Sequence, residues 1–168
     1  DVPKDIQEPK RYDKQLDAGS LSYYNQGTNG LAYQQIIFPL PNLEDELLEV
    51  LPLYTSCLPE FGVGEKDYAE VQTWQSRISG GINCFSSIRS DRDDEQTIKA
   101  FLTFSSKSLV RNHNELSSLL AETIAGVRFD ETQRLSDLIE QICARKENSI
   151  TGSGHSLAMG LASSRFSP

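Results

Sequence analysis

The feature that most restricts how this chain can fold is an abrupt change of hydrophobic period at Ser79-Gly80-Gly81. Before it, Tyr68, Val71, Trp74 (or Gln75) and Ile78 recur every three or four residues, which is the spacing of one helix face. After it, Ile82, Cys84, Ser86 and Ile88 alternate, which is the spacing of one strand face. The pattern predicts a helix stopped by a left-handed cap at Gly80 and followed at once by a strand. A second alternating run, Ile98, Ala100, Leu102 and Phe104, comes after the charged loop Ser90-Asp91-Arg92-Asp93-Asp94-Glu95, so the two runs predict an antiparallel hairpin.

Around this unit the remaining signals are shorter. Tyr33, Ile36, Ile37 and Phe38 favour a strand from Leu31 to Leu40, closed by Pro39 and Pro41. Asn42 is a candidate cap for a helix starting at Leu43, with Glu44, Asp45 and Glu46 at the positive end of its dipole. Its stripe is Leu43, Leu47, Leu51, Tyr54 and Leu58; Pro52 should kink or restart it and Pro59 should end or bend it. Asn112 with Glu115, and Asp130 with Gln133, have capping-box spacing ahead of two further amphipathic helices. The Thr151-Gly152-Ser153-Gly154 break precedes a last short helix carrying Leu157, Ala158, Leu161 and Ala162.

Residues 1–27 contain Pro3, Pro9 and paired charges without helical or strand periodicity, and read as a linker or arm. Residues 28–168 then form one α+β domain, an antiparallel sheet backed by helices on one face. Three strands leave unprotected edges, so further strands, or a second copy of the chain, are expected against them.

Charge narrows the partners. A formal net charge of -8 repels nucleic-acid backbones, no basic patch offsets it, and basic peptides suit it better. No apolar run approaches the ~20 residues of a membrane span, and the mean hydropathy of -0.43 is that of a soluble protein. Cys57, Cys84 and Cys143 are odd in number and lack C-x-x-C spacing, so buried thiols in an intracellular, reducing compartment are expected. The chain opens at Asp1 with no basic n-region and apolar h-region, which suggests a processed or excised product.

Taken together, Thr28-Asn29-Gly30-Leu31 with Tyr33, Leu51-Pro52-Leu53-Tyr54, Gly62-Val63-Gly64, Asp67-Tyr68, Ser79-Gly80-Gly81, Leu109-Val110-Arg111-Asn112, Arg128-Phe129 and Ser153-Gly154-His155 carry a likeness to a known family. The chain resembles the presequence protease branch of the insulinase and pitrilysin zinc metallopeptidases, from about residue 28 onward. The resemblance implies four homologous α+β domains in two halves, joined by a helical hairpin and closing around unfolded peptides. It makes residues 1–27 the end of that hairpin linker and the rest most of the third domain. It places zinc in the parent's first domain, on an inverted H-x-x-E-H helix with a downstream Glu. The corresponding segment here, Leu53-Tyr54-Thr55-Ser56-Cys57-Leu58, has neither imidazole nor carboxylate, so no catalytic, cofactor-binding or metal-ligating residue is assigned.

The remaining chemistry-bearing residues have plainer readings. His113 and His155 lack the spacing of a helical ligand pair, and each lies at a helix start. Thr151-Gly152-Ser153-Gly154-His155 is not a G-x-S-x-G elbow. Asp91, Asp93, Asp94 and Glu95 lack the glycine and distal glutamate of a calcium loop and read as a solvated turn. Cys57 should be a buried, unshifted thiol, and Tyr68 and Trp74 should belong to the core rather than to a peptide surface. Three functions compete for this set of residues. They are a non-catalytic, chamber-forming domain of a zinc endopeptidase, a free-standing peptide-binding module using a sheet edge, and an unrelated small thiol or serine hydrolase.

Overall fold

A computed structural model describes residues 9–91, 93–94 and 96–164. Its elements run β1 (Lys10–Leu16), β2 (Gly19–Asn25), β3 (Leu31–Pro39), α1 (Asp45–Cys57), α2 (Tyr68–Ile78), β4 (Ser79–Ser90), β5 (Ile98–Leu109), α3 (His113–Gly126), α4 (Thr132–Gly152) and α5 (Gly154–Ser163). The fold is α+β, with a two-stranded sheet β1-β2 and a three-stranded antiparallel sheet in the order β3-β5-β4. The period change at residues 79–81 is real: α2 passes into β4 without a loop, and β4 pairs with β5 as the expected hairpin.

One face of the larger sheet is covered. Phe104 on the central strand and Ile82 beside it pack with Leu58, Ile78, Leu116, Leu119 and Leu120, so α2, α3 and the 3-10 turn that follows α1 (Leu58–Glu60) close on this face. Leu116, Leu119 and Leu120 are fully buried, each stabilising by about 1.5–3 kcal/mol. A second cluster joins Cys57, Phe61 and Leu138 and attaches α4 to the end of α1. The opposite face leaves Tyr33, Ile37 and Phe85 exposed.

Several local expectations are corrected. Residues 10–25, read as lacking periodicity, form an antiparallel hairpin pairing Tyr12 with Tyr23; every residue in its strands is exposed, so no burial contrast marked it as a strand pair. The left-handed glycine is Gly81 (φ +95°), not Gly80, because α2 ends on Ser79 and a bulge then lies between Ser79 and Ile82. Asn42 caps nothing: Leu40 still pairs with Ala100, and Glu44 is the N-cap of α1, its carbonyl receiving the Leu47 and Leu48 amides. Pro52 does not divide α1, which runs from Asp45 to Cys57 around it.

Neither predicted capping box forms. Asn112 ends a 3-10 turn (Val110–Asn112) leading straight into α3, and its side-chain amide donates to the Ile78 carbonyl at 3.4 Å. Asp130 pairs with Arg128, Gln133 donates to Asp137, and Glu131 occupies the N-cap position of α4. The box that does form joins Asp67 and Glu70 at the start of α2: the Glu70 amide donates to Asp67 at 2.8 Å and the Asp67 amide to Glu70 at 3.0 Å.

Candidate functional site

The segment 53–58, expected to correspond to a ligand helix, covers the last turn of α1 and the first residue of the 3-10 turn Leu58–Glu60. It borders a cleft of about 520 Å³ walled by Thr55, Ser56, Pro59 and Glu60, by Ile82, Asn83 and Cys84 of β4, and by Ile142, Arg145, Lys146 and Ser149 of α4. Sequence separation hid this cleft, since its walls come from residues 55–60, 82–84 and 142–149.

The hydroxyls and the carboxylate at the α1 end of the cleft are engaged in holding the fold. The Thr55 and Ser56 hydroxyls both donate to the Pro52 carbonyl, at 3.1 and 2.7 Å. Glu60 accepts from Arg134 at 2.7 Å and from Gln72 at 2.8 Å, while the Arg134 guanidinium lies 4.6 Å from the centre of the Tyr68 ring. Buried Gln75 donates to the Pro59 carbonyl at 2.9 Å. Glu131 of the α4 N-cap accepts from the Gly62 amide at 2.7 Å and the Tyr68 amide at 3.0 Å. Gly62 must be glycine, because a Cβ there would stand 2.6 Å from the Lys66 carbonyl oxygen.

The two thiols nearest the cleft, Cys57 and Cys84, are held in their protonated, unreactive form. Cys57 is 2 % exposed, and desolvation pushes its pKa up, with Glu60 adding to the shift and Arg134 and Arg145 opposing it. The expectation of an unshifted Cys57 is therefore corrected in the direction of lower reactivity. Cys84 is half-buried and desolvation pushes it up to about 11. Cys143, expected to be buried, is exposed on α4 because the apolar stripe of that helix faces the other way. No histidine is hydrogen-bonded to any of the three among the described residues. A thiolate-imidazole pair, and with it the thiol hydrolase reading, has no geometric basis here.

The histidines and acids are likewise accounted for. His113 Nδ1 lies 2.8 Å from the Val110 carbonyl, and exposed His155 has the Ser156 hydroxyl beside it at 3.2 Å. Asp91 is held by Lys99 and by the Asp93 amide at 2.9 Å; Asp94 accepts from Thr97 at 2.7 Å and from the Gln96 amide at 3.1 Å. The Asp91 carboxyl sits below the usual aspartate range because of Lys99, and Asp94 does so because of the Thr97 hydroxyl. Arg92 and Glu95 lie outside the described residues. Tyr68 is not a core side chain but an exposed ring under Arg134; Trp74 does pack against the main core, with Lys66 4.8 Å from its ring centre.

A zinc ion does not fit the cleft's donor set. Two hydroxyls bound to their own helix, one carboxylate neutralised by arginine and a protonated thiol offer no tetrahedral group of nitrogen, sulfur and oxygen ligands. Among the described residues no three His, Cys, Asp or Glu side chains converge as a metal site, and no described helix is long and apolar enough to cross a membrane.

The likeness to known proteins extends over the same segment. The family model for the region associated with subfamily C of the M-16 peptidases matches residues 1–168. The mitochondrial presequence protease of Xenopus laevis is 30% identical over 148 residues, 88% of this chain and 14% of that protein. The chloroplastic/mitochondrial presequence protease 1 of Arabidopsis thaliana is 28% identical over 131 residues, covering 78% of this chain and 12% of its own length. The mitochondrial presequence protease of Gibberella zeae is 24% identical over 167 residues, or 98% of this chain and 17% of that protein. The chain thus spans about a seventh of the length of the curated relatives it matches.

Proposed function

The chain belongs to the peptidase-associated family of M-16 subfamily C, and from that membership we propose that it is a non-catalytic, chamber-forming domain of a zinc endopeptidase that degrades short unstructured peptides. The observation that carries this reading is the donor set at the end of α1. A helix aligned with a zinc-binding helix by family likeness presents here only tied hydroxyls and a buried thiol. Bond cleavage is then the task of residues elsewhere in the parent polypeptide, where zinc is expected, and the partners of this chain are the parent's remaining domains.

The substrates proposed for the parent are unfolded, presequence-like peptides, and the net charge of -8 favours basic ones. An intracellular compartment is proposed from relatives named as mitochondrial or chloroplastic proteins, and a reducing one from three free cysteines. Residues 1–27 are proposed as an arm leading from the preceding part of the parent, now with a strand pair of its own.

The test is metal-dependent cleavage of a quenched fluorogenic peptide. Turnover is expected from the intact parent polypeptide supplied with zinc and none from residues 1–168 alone. Zinc-dependent turnover by this segment would refute the reading. A second reading, a free-standing peptide-binding module, draws on the open edges of β3 and β4 in the three-stranded sheet. A stoichiometric peptide complex with residues 1–168 in the absence of any other domain would favour it.

A further inference from the structure

The β1-β2 hairpin is amphipathic, and none of the described residues covers its apolar face. The register pairs Tyr12 with Tyr23, Lys14 with Leu21 and Leu16 with Gly19. Strand alternation therefore gathers Tyr12, Leu16, Leu21 and Tyr23 on one side around Lys14. The other side carries Tyr24 among polar groups that bond to one another: Arg11 Nε donates to Asp13 at 2.8 Å, the Ser22 hydroxyl donates to the same oxygen at 2.6 Å, and the Arg11 guanidinium lies 5.8 Å from the Tyr24 ring centre. The two tyrosine rings lie 6.2 Å apart, yet Tyr12, Leu16, Leu21 and Tyr23 remain 55%, 45%, 52% and 57% exposed.

Two physical facts make this arrangement incomplete. A lone two-stranded hairpin is marginally stable in water, and side-chain hydrogen bonds from this one reach no other element among the described residues. Four large side chains gather on one face against a single one, Tyr24, on the other, where Arg11 lies over its ring; the crowded face has the composition of an interface core rather than of a solvated surface. Lys14 sits among them with no carboxylate in ion-pair reach among the described residues.

The occupant follows from how much polypeptide lies elsewhere. The family match begins at residue 1, so the hairpin belongs to the family's own domain, and most of each relative lies outside the matched segment. We propose that the Tyr12-Leu16-Leu21-Tyr23 face is the docking site for an apolar surface of the parent polypeptide outside residues 1–168, one carrying a carboxylate opposite Lys14. The proposal rests on the reading of this chain as part of a larger peptidase, and it names the element through which the chain is fastened to the remainder.

Photocrosslinking in the full-length parent tests it. With p-benzoylphenylalanine in place of Tyr23, irradiation should link residue 23 to a peptide outside residues 1–168 in a species of monomer mass. The same probe replacing Ser20, on the polar face, should give at least about tenfold less product, as a binding difference of one decade or more implies. Leu21→Asp should reduce the Tyr23 product to a similar extent, and Leu21→Met, which keeps the apolar face, should preserve it. A species of twice the mass would overturn the proposal in favour of a second copy; a link confined to residues 1–168, or none, would overturn it outright. A parent that forms the link but shows no metal-dependent cleavage would sink the peptidase reading while leaving the docking surface standing.

Discussion

Glu131 and Gly62, sixty-nine positions apart in sequence, are joined by a 2.7 Å hydrogen bond from the glycine amide to the glutamate carboxylate. The second oxygen of Glu131 takes the Tyr68 amide at 3.0 Å, so one side chain at the head of α4 pins both ends of the 62–68 loop. Glu131→Ala leaves two backbone donors without their partner and should cost about 2–3 kcal/mol, because hydrogen bonds to a charged acceptor are the stronger kind. Glu131→Gln, which keeps one acceptor oxygen, should lose less. Urea unfolding midpoints at constant slope measure both.

Gly62→Ala should destabilise through the same loop. The added carbon would meet the Lys66 carbonyl oxygen at 2.6 Å, closer than contact allows, and relieving it should cost about 1–3 kcal/mol. Gly27→Ala, where nothing lies within 4 Å of the new carbon, is the matched control and should stay within about 0.5 kcal/mol. Paired thermal denaturation curves decide between them.

In the core, Leu119→Ala removes a fully buried side chain from the contact between α3 and the sheet and should cost about 2–5 kcal/mol. Ile88→Ala, at an exposed position on β4, should change little. A large loss at Ile88 would mean that the sheet's exposed end is covered in solution.

The three thiols should separate in reactivity. Near neutral pH in native buffer, iodoacetamide should alkylate exposed Cys143 and leave buried Cys57 intact. Cys84, whose pKa is pushed up to about 11 by burial, should resist until the pH approaches that value or the chain unfolds. Because its folded pKa is raised, the thiol binds its proton more tightly in the folded state, and stability falls between the ordinary thiol range and about 11. Mass spectrometry of peptides from a timed reaction reads the order.

The Asp91–Lys99 contact at the β4-β5 turn predicts a pH window. The Asp91 carboxyl is lowered by Lys99, so its contribution exists above the ordinary aspartate value of about 3.9 and disappears as pH falls through the lower folded value. Lys99 is raised by Asp91, so the contribution persists below about 10.4 and is lost as pH climbs through the higher folded value. The difference in unfolding midpoint between the natural chain and Asp91→Asn should be constant between these limits and vanish beyond each. A difference independent of pH would show that the ion pair is not its source.

The parts of the fold legible in the sequence were those where burial alternates sharply. Val71, Ile78, Ile82 and Phe104 are buried among more exposed positions, so the α2–β4 junction and the strand pairing could be read directly. The hairpin at 10–25 escaped because Lys14 interrupts the Tyr12–Leu16 alternation and no side chain there is buried to reinforce it. Caps were misplaced where the side chain or its segment found another partner: Asn112 turns to Ile78, Asp130 pairs with Arg128, and the β3 pairing runs on to Leu40 just ahead of Asn42. Asp67 and Glu70 have capping-box spacing directly ahead of the α2 stripe, so that cap could have been found. The cleft was legible only in what it lacks, since no imidazole lies in residues 53–58, while Arg145 and Lys146 reach it through packing that no local pattern encodes.

The strand order β3-β5-β4 has a consequence for biosynthesis. The strand made last of the three lies in the middle, and Leu31 must wait for Leu109 before its ladder can form. While the nascent chain leaves the ribosome, β4 and β5 can zip together as neighbours, but β3 has no sheet to join until the whole of β5 has emerged. Closing that long loop is the slow, late step of assembly, and until it occurs the chain displays Leu31 and Ile36, which the folded sheet partly covers, to whatever chaperone or aggregating neighbour reaches them first.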